Sequence, residues 1–398
     1  MASLLALSSS GALAGGFTRG GADTDILFEE APVAVRMGAT FVVPQRGVEK
    51  FKTVSGTSRS SDSDYSDSYV VPSAAFMIGL GANARCAGTY TTPYGADSSF
   101  GRDYIDQGKL FSASGTVANT VESEEYGLTC GLFTEAGRGR LWLLGGVFWE
   151  SLSASETAEL SAAGAAGLNG LIGFPVLTGG DVTELSLSSD HHQLGYRIGA
   201  AFDIPEYALR IQGMYKSEVE HDLEGALAVP VVGEIVARGS VVTPQSFELK
   251  AQSGIAPGTL AFASVKWVDW SILQQIDYTV GPAPQSFEFF WRDGWTISGG
   301  IGKRLTDHVS VALGLSWDKG VSTSEDMYTD AWSLGGALNL TDAFGGMWRL
   351  GGAVSYLTEG EIKQATLGGG GAGKGGKFGY TVDQDWAYTG SISYKLSF

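Results

Sequence analysis

Trp386-Ala-Tyr-Thr-Gly-Ser-Ile-Ser-Tyr-Lys-Leu-Ser-Phe398 closes the chain, and its reading decides the fold. Every second position is apolar or aromatic apart from one glycine: Trp386, Tyr388, Gly390, Ile392, Tyr394, Leu396 and Phe398. The residues between them are small or polar and include Lys395. A period of two puts these sets on opposite faces of a strand. Aromatics stand at the top of the apolar face and at its end, which matches a transmembrane β-barrel strand with lipid on one side and water on the other.

The same period recurs upstream. Val33, Val35, Met37, Ala39, Phe41 and Val43 form one alternating set, and Tyr126, Leu128, Cys130 and Leu132 a second. Leu194, Tyr196, Ile198, Ala200 and Phe202 follow, then Leu209, Ile211, Gly213 and Tyr215. Val309, Val311, Leu313, Leu315 and Trp317, and later Trp348, Leu350, Gly352, Val354 and Tyr356, complete the series. A soluble sandwich also alternates, but it does not require the loop rhythm found here. Short links fall near 81–84, 135–139, 203–206, 256–258, 305–307 and 342–346. Long ones fall near 47–66, 96–119, 153–190, 224–243, 278–285, 320–325 and 367–377. Short turns on one side and long loops on the other are the asymmetry of outer-membrane barrels. The expectation is an all-β chain: an antiparallel barrel of about 14 strands spanning 31–398, preceded by a short N-terminal hatch at 15–30.

Composition agrees. The chain has 398 residues, 58 of them Gly, with 17% charged residues and a mean hydropathy of +0.05. No apolar run reaches the roughly 18 residues that a membrane helix needs. The densest, Leu141-Trp-Leu-Leu-Gly-Gly-Val-Phe-Trp149, is about one barrel strand long. A net charge of −17 argues against nucleic acid as a partner, because phosphate binding needs clustered Lys and Arg, and fits acidic solvated loops. Residues 1–14 read as an export signal: Leu4-Leu-Ala-Leu7 is a short apolar core and Ala12-Leu13-Ala14 an A-x-A cleavage site, without the usual basic start.

Enzyme signatures fail one by one. His191-His192 has no third ligand at a metal-binding spacing, and no Gly-x-Ser-x-Gly is present. Gly368-Gly-Gly-Gly-Ala-Gly-Lys374 imitates a phosphate loop, but Gly375 replaces the required hydroxyl residue. A barrel lipase would need a Ser-His pair, and His308 lies at a short turn. No metal or cofactor is called for. Cys86 and Cys130 share parity with the outward residues of consecutive strands, so they form either a cross-strand disulfide or two lipid-facing thiols.

With this layout the chain resembles the FadL/TodX-type outer-membrane transporters of long-chain fatty acids and other hydrophobic compounds. The resemblance rests on Gly15-Gly-Phe17, Gly38-Ala-Thr-Phe-Val-Val-Pro44, Thr91-Thr-Pro-Tyr-Gly95 and Tyr207-Ala-Leu-Arg-Ile-Gln-Gly-Met-Tyr-Lys-Ser-Glu-Val219. Thr243-Pro-Gln-Ser-Phe-Glu-Leu249, Val268-Asp-Trp-Ser-Ile272 and Asp293-Gly-Trp-Thr-Ile-Ser-Gly-Gly300 follow in order. It implies a bacterial outer-membrane location and a fourteen-strand barrel blocked by a hatch. It also implies capture of substrate at outer loops, a pocket near the hatch, and lateral release into the membrane. Expected partners are hydrophobic small molecules, outer-membrane lipids and lipopolysaccharide, with the chain acting as a monomer. The family's long plug with an Asn-Pro-Ala turn is missing; only residues 15–30 precede the first strand.

Candidate ligand contacts follow. Leu168-Asn-Gly-Leu-Ile-Gly-Phe-Pro-Val-Leu177 is unusually apolar for an exposed connection, nominating Leu168, Leu171, Ile172 and Phe174. Leu227 and Val231 stand in a second such segment. These loops either capture substrate or merely pack together as a cap. Burying a tail of about fifteen methylenes gives roughly 12 kcal/mol gross at ~0.8 kcal/mol each, so release rather than binding is the difficult step. Phe17 could reach a bound tail from the hatch. Arg36, Arg197, Arg210, Lys216 and Arg349 face inward by parity and are the candidate partners of a carboxylate head group. Monoaromatic hydrocarbons and acyl signalling molecules remain alternative cargo.

Overall fold

The computed structural model describes residues 15–53, 56–62, 64–189, 191–323, 327–363 and 378–398. The leader and the glycine-rich 368–374 stretch lie outside these residues. Fourteen wall strands succeed one another around a ring: β1 (Val33–Pro44), β2 (Tyr69–Leu80), β3 (Ala84–Thr91), β4 (Ser114–Ala136), β5 (Gly139–Leu160), β6 (Gln193–Ile204) and β7 (Leu209–Lys216). The ring continues through β8 (Ser246–Ala256), β9 (Thr259–Val268), β10 (Gly294–Arg304), β11 (Val309–Lys319), β12 (Ala331–Thr341), β13 (Met347–Leu357) and β14 (Asp385–Ser397). Each pairs antiparallel with the next, and β14 closes on β1 from Ala34↔Ser397 to Pro44↔Ala387. Closure gives every wall strand two neighbours, which a segment in lipid requires. No described helix is long and apolar enough to cross a membrane.

The parity read from sequence holds along the wall. Met37, Leu194, Ile198, Leu313, Leu334 and Tyr388 are exposed on the outer face, whereas Arg197, Arg210, Gln212 and Asn339 are buried on the inner one. Four of the six short turns carry a glycine at positive φ, namely Gly81, Gly137, Gly258 and Gly345. These left-handed positions let two strands reverse in a few residues.

The long connections are more ordered than the sequence suggests. β4 and β5 run for 23 and 22 residues, far beyond a bilayer-spanning length, and remain paired up to Ser114↔Leu160. Val182–Ser189 adds to the outer half of β5, followed by the hairpin Val219–Val229/Gly233–Thr243 and then Gln275–Val280/Ala283–Glu288. Apolar alternation fades there because both faces meet water, while backbone pairing continues. Two helices lie in the same outer region, α1 (Arg102–Phe111) and α2 (Ala162–Ile172). The apolar stretch read as a loop from Leu168 is in part the end of α2. Ser161 accepts from the Gly164 N–H at the start of α2, and Gly173 at φ +88° stops it. A four-stranded sheet from Lys50–Thr53, Gly56–Arg59, Gly360–Ile362 and Gly379–Val382 covers another side around Phe51, Phe378 and Tyr380.

Cys86 and Cys130 are register partners on β3 and β4 and are joined by a disulfide, on the face shared with Leu128 and Leu132.

Candidate functional site

The hatch is built from a short acidic and apolar sequence, Asp23-Thr-Asp-Ile-Leu-Phe-Glu-Glu30. Thr24–Phe28 forms a 3-10 turn whose Ile26, Leu27 and Phe28 are buried against Ala34, Met77, Trp142 and Leu144. The acids flanking this apolar wedge meet cations from the inner wall. Asp23 pairs with Arg36 at 2.5 Å, and Glu29 pairs with both Arg36 at 3.2 Å and Lys395 at 2.8 Å. Asp25 lies 3.3 Å from Lys250 and 3.8 Å from Arg210, whose guanidinium also stacks 4.3 Å over Phe28. Glu30 reaches Arg140 at 2.8 Å. The inner surface of the barrel therefore holds the hatch by charge as well as by apolar burial.

Two of the inward cations nominated from sequence, Arg36 and Arg210, hold the hatch. Arg197 and Lys216 belong to a second network: both pair with Glu125, and Lys216 also reaches Glu150 at 2.8 Å. Glu150 is further tied to His221 at 3.2 Å and accepts from Thr243 Oγ1 at 2.6 Å. Arg349 donates to Asn339 at 3.1 Å.

A cavity of about 90 Å³ opens between the hatch and the wall. Thr18, Gly20 and Thr24 line it from the hatch, and Arg197, Lys216, Lys250 and Lys266 from β6 to β9. The acids in its lining are Glu125 and Glu248, so four cations face two carboxylates. Glu125 is engaged by Arg197 and Lys216, and Glu248 by Lys250 at 3.4 Å. Lys266 forms no hydrogen bond or ion pair among the described residues. Sequence inspection missed Lys250 and Lys266. The period-two test would have found them, because Phe247, Leu249 and Val265 point outward in the same strands.

The cavity adjoins an interruption in the wall. β3 pairs with β2 only as far as Ser73↔Thr91. The chain then breaks through Thr92-Pro93-Tyr94 and resumes pairing to β4 at Gly95↔Glu122. Pro93 has no N–H for a ladder. The hatch fills the inner side of the break: Arg19 and Gly20 donate to the Pro93 carbonyl at 2.8 and 3.3 Å, and Gly95 donates to that of Phe17 at 2.8 Å. A Cβ on Gly20 would stand 2.8 Å from Thr91 Oγ1 and 2.9 Å from Val71 Cγ1, so only glycine passes so close to the wall. Arg19 stacks 3.8 Å over Tyr69 and pairs with Asp97 at 2.7 Å.

Above the cavity, Phe17 enters an aromatic cluster. Its ring centroid lies 4.7 Å from Trp291, 5.9 Å from Trp270 and Phe289, and 6.2 Å from Tyr328. Leu227 of the outer hairpin joins the same core and also the one beneath α2. Leu168 and Ile172 pack there with Leu160, Leu177 and Val229. Leu171 is half-buried, and Phe174 stands 52% exposed beside the exposed Val176. Val231 sits apart at the hairpin tip, 90% exposed and at φ +67°. On α1, Asp106 is held below the usual carboxylate range by hydrogen bonds from Arg102 and Lys109, and Asp103 by Ser61.

A closed barrel with an apolar outer belt, a charged lumen, a docked hatch and a wall break defines an outer-membrane channel for hydrophobic substrates. The chain belongs to the outer membrane protein transport protein family (OMPP1/FadL/TodX), whose model matches residues 27–327. The family consists of transport channels. Among solved structures, a Pseudomonas aeruginosa FadL homologue matches with a TM-score of 0.73 at 13% identity, over 94% of this chain and 92% of that one. The Ralstonia pickettii toluene transporter TbuX matches at 0.60 and 12% identity, covering 93% and 90%. The P. putida toluene transporter TodX matches at 0.60 and 13%, covering 94% and 92%. At such identities these likenesses speak for the fold alone. No curated protein sequence matches at a significant level.

Proposed function

We propose that this channel takes up long-chain fatty acids or similar anionic amphiphiles. The observation that carries the reading is Lys266, a lumen cation that forms no hydrogen bond or direct ion pair among the described residues and meets Glu248 and Asp318 only at longer range, in a lining of four cations and two acids. A neutral hydrocarbon would leave that charge without a direct partner, whereas a carboxylate head group would pair with it. The cavity is of head-group size, so the tail would extend upward toward Phe17 and its aromatic neighbours. Capture falls to the apolar surface of α2 and Phe174, and Leu227 connects that core to the aromatic one. Release falls to the break at Thr92-Pro93-Tyr94, reached once residues 17–20 leave its inner side. Closure of β14 on β1 within one chain supports a single-chain channel.

The test is uptake by a deletion strain complemented with wild type or Lys266→Met, given radiolabelled oleate or toluene at limiting concentration. Loss of a charged hydrogen bond of ~1.5–3 kcal/mol corresponds to an oleate uptake lower by at least about tenfold. Toluene entry should be unchanged. Wild-type oleate uptake by the variant would remove the head-group assignment. A wild-type channel that passes toluene and not oleate would favour monoaromatic cargo, the trade of TbuX and TodX.

A further inference from the structure

We infer that the wall break opens at the outer interface of the membrane rather than into its hydrocarbon, and that Glu122 and Glu124 form a wetted acidic lip there. Past this lip a charged head group leaves through water while its tail turns into the bilayer. The inference rests on the release step proposed for Thr92-Pro93-Tyr94 and adds the depth and the chemistry of that exit.

The outer face of β4 shows where lipid ends. Tyr126, Leu128 and Leu132 are exposed there, and the next two residues of the same parity, Glu124 and Glu122, are exposed carboxylates. β5 changes at the same level. Trp149 pairs with Tyr126, and the outward positions beyond it are Ser151, opposite Glu124, and Ser153, opposite Glu122. Trp and Tyr gather at the edge of the apolar belt, so Tyr126 and Trp149 mark its outer limit. Glu124 accepts a hydrogen bond from Tyr90, and neither glutamate forms an ion pair among the described residues. A carboxylate on the lipid face is disfavoured more strongly the deeper it lies. Both acids therefore stand above the hydrocarbon.

The strand register carries this level across to the break. Tyr90 of β3 pairs with Tyr126, their rings 5.0 Å apart, and donates to Glu124 at 3.1 Å. Thr91 pairs with Glu125 and Gly95 with Glu122, so Thr92, Pro93 and Tyr94 lie beside the stretch of β4 that holds both acids. On the other side, residues 69–72 of β2 pair with β1 and not with β3, and Val70 and Pro72 are on their outer face. The opening is thus bounded by an apolar edge on β2 and a charged edge on β4. A carboxylate forced through hydrocarbon would lose its hydration at great cost. Here it keeps water on the β4 side while the tail meets Val70 and Pro72. Repulsion from Glu122 and Glu124 is weak at so exposed a lip, because water and salt screen it.

Depth and wetting are read from a bimane label on Ser151→Cys or Val147→Cys, the register partners of Glu124 and Leu128, in barrels folded into liposomes with Cys86 and Cys130 left bridged. Iodide in the water should quench the label at 151 at least about threefold more than the label at 147, and lipids brominated in their acyl chains should do the reverse. Glu122→Leu combined with Glu124→Leu should lower iodide quenching at 151 at least about twofold, since the lip then sheds its water. The same pair should slow oleate uptake at limiting concentration at least about fivefold relative to toluene uptake, because the head group must then cross a dry edge. Heat-modifiable migration checks that the barrel is closed; if the Leu pair does not assemble, the two labels decide alone. Equal acyl-bromine quenching at 151 and 147 would place the exit in hydrocarbon and overturn the inference, as would unchanged oleate uptake in the Leu pair. A wild type that excludes oleate refutes the fatty-acid cargo instead, and the label readings still decide the depth of the exit.

Discussion

Leu27→Ala should loosen the hatch without opening the barrel. Leu27 is 0% exposed between Ile26 and Phe28, in the cluster that includes Met77, Trp142 and Leu144. Truncating a buried leucine costs ~2–5 kcal/mol when the site cannot collapse. These neighbours belong to closed wall strands, so little collapse is available. If docking bears the whole loss, the undocked fraction rises between about 30-fold and several thousand-fold at 1.4 kcal/mol per factor of ten. The hydrogen bond from the Arg85 guanidinium to the Leu27 carbonyl, at 3.1 Å, is untouched by the change, as are the ion pairs of Asp23, Asp25 and Glu29. Conductance of single channels in planar bilayers reads the outcome: rare brief openings in wild type, frequent or long ones in Leu27→Ala. Leu27→Asp, which adds a buried acid, should open it further. Closed-state conductance equal to wild type in both variants, with heat-modifiable migration intact, would refute the view that this wedge seals the lumen.

Two further outcomes follow from the faces of the wall and the outer region. Leu313→Lys, at a residue 60% exposed on the outer face of β11, should hinder folding into lipid by ~2–4 kcal/mol if it lies near the midplane. Ser316→Lys, on the inner face of the same strand, should fold far more easily; equal defects in a liposome-folding titration would contradict the assigned parity. Replacing Leu171, Ile172 and Phe174 together by Ser should lower uptake at limiting substrate, with saturating uptake preserved in whole-cell assays. Unchanged uptake at every concentration would make this surface a cap.

The wall was legible in sequence because lipid and water impose a two-residue period that local inspection detects. Leu313, Trp348 and Tyr388 needed no partner to be assigned a face. The upper halves of β4 and β5 were not legible for the complementary reason: above the bilayer both faces are wet, and the pairing Gly115↔Glu159 leaves no apolar trace. The helix from Ala162 was hidden too, since Ala, Gly and Leu fit a loose apolar loop as well as a capped helix. The inward cations were found, but their partners were not. Asp25, Glu29 and Glu30 lie more than a hundred residues away from Lys250, Lys395 and Arg140, and only closure of the barrel brings them together.

That pairing changes what a lumen charge means in this channel. Inward parity alone made Arg36, Arg197, Arg210 and Lys216 equal candidates for a head group. In the structure each is engaged by an acid, whether of the hatch or of the wall. A ligand carboxylate arriving at one of them would have to displace a resident carboxylate of the same charge, with little net gain. Lys266 makes no direct ion pair among the described residues, Glu248 and Asp318 acting on it only from further off, so a head group there gains a contact without breaking one. Its cavity is also lined by Thr18 and Gly20, and Gly20 bears on the wall break through the Pro93 carbonyl. A ligand large enough to fill that space would press on the residues that block the exit. It would shift the hatch only to the extent that it binds the displaced arrangement more tightly than the docked one.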